Sequence, residues 1–132
     1  MSRKSVVVTL EDGGVQKKFL ITRMSSANTE DWALELFFAL ANSGIEIPDD
    51  IVEMGFAGVT QIGLASLGKI PYEKAKPLLA RMIDCVQFIP NPDDERVVRN
   101  LIDEDIDEVT TRFKLRKEVV SLHTDFLKTV KT

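Results

Sequence analysis

From Ile102 to Val130, apolar and semi-apolar side chains return at alternating steps of four and three: Ile102, Ile106, Val109, Phe113, Arg116, Val120, His123, Leu127 and Val130. Such a series falls on one face only in an α-helix. From Leu115 onward a second stripe, Leu115, Val119, Leu122 and Phe126, runs beside the first. The combined face is wider than a two-stranded seam, so it has to be covered by the rest of the domain or by a partner. The spacing predicts a long helix over about 103–130, opened by the acidic run Asp103-Glu-Asp-Ile-Asp-Glu108, which suits a helix's positive end.

The 132 residues suffice to bury a core without disulfides or a structural metal. With 44% hydrophobic and 29% charged residues, the chain has the balance of a folded protein rather than a disordered or membrane one. Its apolar runs are too short to span a bilayer. Acidic Glu11 and Asp12 and a Gly-Gly pair follow the opening Met-Ser-Arg-Lys-Ser-Val-Val-Val too closely for an export signal to be expected. A lone cysteine, Cys85, excludes an intramolecular disulfide and fits a cytosolic setting. The net charge of -4 argues against a protein whose affinity comes from neutralising phosphates, so neither nucleic acid nor membrane is expected as a partner.

Residues 5–10 and 16–22, rich in Val, Ile, Leu, Phe and Thr, flank Glu11-Asp-Gly-Gly-Val15 and predict a β-hairpin over 5–22. Ser25, Ser26 and Asn28 can cap a helix over about 27–42. Trp32, Leu36, Ala39 and Leu40 would form one face of that helix, flanked by Leu34, Phe37, Phe38 and Ala41, which marks it as the central core helix. A Gly-rich helix is expected over 51–67, with Gly55, Gly58 and Gly63 allowing close approach to a neighbour. Another is expected over 72–84, where Pro77 should kink it or mark its first turn. Residues 85–89, the turn Pro90-Asn-Pro-Asp-Asp94 and Arg96-Val-Val-Arg99 read as a second short hairpin or a strand and its return. The expected fold is therefore α+β: a mainly helical single domain of about four helices with an N-terminal β-hairpin.

No constellation builds an active site. His123 is the sole histidine and no adjacent residue completes a catalytic pair, so a packed or partner-facing role is favoured. The acidic run lacks calcium-loop spacing and its central glycine. Gly55 to Gly63 has no Gly-Lys-Ser/Thr ending, so no phosphate-binding cofactor and no metal are expected. Arg116, on the seam, needs a carboxylate if buried, with Glu35 or an acid of the 103–108 run as candidates, or else lies where a partner docks.

Several segments together resemble the tail assembly chaperones of long-tailed bacteriophages and prophages. They are Phe19-Leu-Ile-Thr-Arg-Met24, Glu30-Asp-Trp-Ala33, Ser43-Gly-Ile-Glu-Ile-Pro48 and Leu115-Arg-Lys-Glu-Val-Val-Ser-Leu-His-Thr-Asp-Phe126. The chain departs from that pattern where Ser25-Ser26 replace Pro-Ala and where Glu35 replaces a basic residue. The resemblance implies a non-enzymatic protein of the host bacterial cytoplasm that binds the phage tape measure protein, helps recruit tail tube protein and is absent from the mature virion. It also implies that a frameshifted longer form accompanies the protein in many such phages. Partner-binding residues would then be Phe113, Arg116, Val120, His123 and Leu127, and a homo-oligomer is compatible with the broad apolar face. The competing readings are a permanent structural virion component, such as a neck or tail-completion protein, and, less favoured, a small enzyme or nucleotide binder.

Overall fold

The computed structural model describes residues 4–44 and 67–124. The chain divides into two compact units, one comprising Met1–Arg23 with Arg81–His123, the other Met24–Ala80 with Thr124–Thr132. The first holds a four-stranded antiparallel sheet in the order β1 (Ser5–Asp12), β2 (Val15–Thr22), β3 (Val86–Ile89), β4 (Arg99–Asn100). Gly13 and Gly14, at φ of 60° and 83°, form the two-residue turn between β1 and β2, and such a turn matches the strands' twist because both positions take positive φ.

Cross-strand register gives the sheet two unlike faces. Val8, Phe19, Phe88 and Arg99 are direct neighbours across the four strands, so they share a face with Ile21 and Val86. Phe19 and Ile21 are fully buried there, and Phe88 lies 5.5 Å from the Phe19 ring with the Arg99 guanidinium 5.0 Å from its own centroid. The opposite face carries exposed Thr9, Glu11 and Gln16 at the hairpin end, half-buried Val7 and Leu20, and buried Ile89 on β3.

The same unit contains the C-terminal helix, Val109–Thr124. Its start is fixed from the hairpin. Asp12, 1% exposed, accepts hydrogen bonds from the backbone N–H of Asp107 at 2.7 Å and Glu108 at 2.9 Å, and from the Thr111 hydroxyl at 2.7 Å. Glu108 reciprocates by accepting from the Gly13 N–H at 2.8 Å. These exchanges tie the two residues before the helix, and Thr111 in its first turn, to the hairpin turn about a hundred positions away in sequence. Lys17 bridges the Asp12 carboxylate at 2.6 Å and the Asp105 carbonyl at 2.9 Å. A side chain at Gly13 would place its Cβ 2.9 Å from an Asp107 carboxylate oxygen.

The second unit contains a helix at Ser26–Asn42, here α1. Ser25 is its N-cap, its hydroxyl accepting from the Asn28 N–H at 3.2 Å. The next helix, α2 (Tyr72–Ile83), begins in this unit and passes the unit boundary at Arg81. Pro77 removes the bond to the Glu73 carbonyl, yet the helix continues through it. Trp32, Ala33, Leu36, Leu40, Ile70, Ala75 and Leu78 are buried, and the Trp32 indole N–H donates to the Leu78 carbonyl at 2.9 Å. As Trp32 is the only tryptophan, its emission should be blue-shifted and move red on unfolding. Trp32→Phe should cost about 1 to 2 kcal/mol by leaving that acceptor without its donor, readable from urea midpoints.

Three helices stand among the described residues, not about four, and the sheet has four strands, so the mainly helical expectation is corrected. The helix expected over 51–67 lies outside the described residues except for Leu67, which opens a short 3-10 turn, Leu67–Lys69. The C-terminal helix, α3, starts at Val109 rather than 103, because Asp103–Asp105 forms a separate 3-10 turn and Ile106 is extended. Asp105 accounts for the break. Its carboxylate takes a bidentate pair from Arg99 at 2.8 and 2.6 Å and the Ile102 N–H at 2.8 Å, holding the acidic run against β4 instead of continuing it into the helix. The first helix is also less enclosed than expected, with Leu34 and Phe38 exposed.

Candidate functional site

The rotation of α3 about its axis decides which of its two apolar stripes faces inward. Thr111, bonded to Asp12, points inside, and with it go Leu115, Val119 and Leu122, all buried. The stripe that begins at Ile102 and Val109 is thereby turned outward at its start. Val109 is 61% and Phe113 62% exposed, one helical turn apart. Arg116 and Val120 are half-buried, and His123 is buried. Leu127 lies outside the described residues. The five residues expected to bind a partner thus include one exposed aromatic, two half-buried residues and one interior histidine.

His123 Nδ1 donates to the Val119 carbonyl at 2.8 Å, and burial, with Arg23 nearby, pushes its pKa below the ordinary value. A neutral, internally bonded imidazole fits packing better than contact with a partner. Burial likewise lowers the Arg116 pKa, and the positive charge of Arg112 adds to the effect. Asp105, one of the acids expected to meet Arg116, is engaged by Arg99. Burial opposes its ionisation, but Arg99, the Ile102 N–H and Lys17 together hold its pKa below the carboxylate range.

Around Phe113 the helix carries Arg112, Lys114, Arg116 and Lys117, with Glu118 the single acid from 109 to 124. Beside this face a cavity of about 410 Å³ opens within the first unit. Its lining joins Val86, Leu101 and Ile102 to Asp84, Asp103 and Arg112. It could accept an apolar side chain with a polar end.

Cys85 is buried, its thiol donating to the Arg81 carbonyl, and burial followed by the charge of Asp84 pushes its pKa up to about 11. Its reaction with an aromatic disulfide reagent at pH 8 should therefore run roughly tenfold or more slower in the native protein than in denaturant. Equal rates would show the thiol to be accessible. Among the described residues no group of three or more His, Cys, Asp or Glu is placed to hold a metal, and no helix is long and apolar enough to cross a membrane. The Gly55 to Gly63 run lies outside the described residues.

Sequence reasoning missed Asp12 and Lys17, the residues that orient α3. Asp12 next to Gly-Gly reads as turn chemistry, and its partners lie at the other end of the chain. No known protein family, characterised protein or solved structure matches this chain.

Proposed function

We propose that the chain is a non-enzymatic tail assembly chaperone that holds the helical tape measure protein of a long-tailed phage and helps recruit tail tube protein, acting in the host bacterial cytoplasm. The observation that carries this reading is the outward Val109–Phe113 ridge on a helix anchored at its start by Asp12. An exposed aromatic on a rigid helix is a natural anchor for an amphipathic client helix laid along it. The resemblance of the segments around Phe19, Trp32, Ser43 and Leu115 to tail assembly chaperones supplies the identity of the client. Leu34 and Phe38, exposed on α1, offer further apolar surface.

Co-expression with the tape measure protein encoded nearby tests the proposal. A stable complex and a higher soluble yield of the tape measure protein are the expected result, with the chain missing from purified particles. A chain retained in particles and forming no complex would make it a structural virion component instead.

A further inference from the structure

On α3 itself the charges around Phe113 are nearly all positive, whereas the exposed Asp107 and Glu108 lie at the Val109 end of the ridge. Phe113, 62% exposed, has Arg112 and Lys114 as chain neighbours and Arg116 and Lys117 one turn on, against Glu118 alone. Lys114 and Lys117 are exposed, and Arg112 is close enough to Arg116 to depress its pKa. The chain as a whole is acidic, at -4, so this cationic ring is a local concentration rather than a general property. A partner that buried Phe113 without supplying anions would leave the exposed Lys114 and Lys117 partly desolvated. A partner with carboxylates flanking its apolar stripe would neutralise them.

Resting on the chaperone reading above, we propose that the outer face of α3 selects an amphipathic helix whose apolar stripe is flanked by acidic side chains. The pair Val109 and Phe113, spaced by four, forms a ridge that fits the groove of another helix. A polyphosphate fits less well. The centre of the face is apolar, with Val109 and Phe113 both exposed, and a phosphate chain would leave that ridge uncovered.

The test uses the full chain and two helical peptides with an identical apolar stripe, one flanked by glutamates and one by lysines, with affinity read by fluorescence anisotropy at low salt. The glutamate peptide should bind about tenfold or more tightly than the lysine peptide, and the difference should shrink as salt rises. Phe113→Ser should weaken the glutamate peptide about tenfold. The double variant Lys114→Glu with Lys117→Glu, at two exposed positions, should reverse the preference. Equal affinity for the two peptides, no binding of either, or tighter binding of oligouridylate or of phosphatidylcholine–phosphatidylglycerol vesicles than of the glutamate peptide would overturn the proposal. If the tape measure protein co-purifies while the peptides bind equally, the charge preference alone fails. If the glutamate peptide binds while the tape measure protein does not, the identity of the client fails.

Discussion

Asp12→Ala should destabilise the chain by about 3 to 5 kcal/mol, the range for breaking one side of a buried, hydrogen-bonded charge pair. The carboxylate accepts from two backbone N–H groups, the Thr111 hydroxyl and the Lys17 ammonium. Alanine would leave the two N–H groups and the buried Thr111 hydroxyl without this acceptor, and Lys17, half-buried, with the Asp105 carbonyl but no counter-charge at Asp12. The same contacts give the effect a pH signature. Burial alone would raise the Asp12 pKa, but Lys17, the Asp107 N–H, Thr111 and the Glu108 N–H outweigh it and hold the pKa well below the carboxylate range. A folded-state pKa below the unfolded one contributes stability above the unfolded value, near 4, and loses it as pH falls toward the folded value. Urea denaturation of parent and Asp12→Asn should therefore differ most above about pH 5 and converge as pH falls below about 4. A gap unchanged down to pH 2 would show that the Asp12 charge contributes nothing, and a cost under about 1 kcal/mol for Asp12→Ala would remove Asp12 from the account of how α3 is set.

Phe19→Ala should cost about 3 to 5 kcal/mol, from the lost transfer energy of the ring and the cavity it leaves. Phe19 has no exposed surface and sits on β2, which pairs with strands on both sides, so no neighbour can withdraw without disturbing the ladder. Its ring also supports Phe88, over which Arg99 lies before pairing with Asp105. The cavity variant should consequently loosen the 3-10 turn at Asp103–Asp105, visible as faster amide exchange at Ile102, whose N–H bonds to Asp105. Phe19→Leu, which keeps most of the volume, should cost less than half as much. Equal costs for the two would place the effect in the ring contacts rather than in packing volume.

The elements legible in the sequence were those set by neighbours in the chain. Gly13-Gly14 between two β-rich runs gives the hairpin, and Ser25 with the apolar stretch from Trp32 gives α1. Long-range contacts decided what was misread. In the C-terminal third both stripes are apolar enough to be the inner one, and the choice between them falls to Asp12, far away in sequence. Arg116 on the first stripe and Thr111 in line with the second were the local hints that the second would turn inward. The acidic run looked like a helix start because its charges suit one, but Asp105 pairs with Arg99 and folds the run back on itself. Leu34 and Phe38 on α1 read as core from composition, and only the tertiary arrangement leaves them exposed. For the candidate site, Phe113 was found from periodicity, whereas the burial of His123 follows from the rotation of α3, which periodicity does not fix.

The claim that the outer face of α3 holds the client is tested most directly by Phe113→Asp in co-expression with the tape measure protein. Phe113 is exposed, so the variant should keep the parent's circular dichroism and unfolding midpoint. The account predicts a folded variant that no longer co-purifies with the tape measure protein or raises its soluble yield. A folded Phe113→Asp chain that still recovers the complex at parental yield would contradict it and move the binding surface elsewhere.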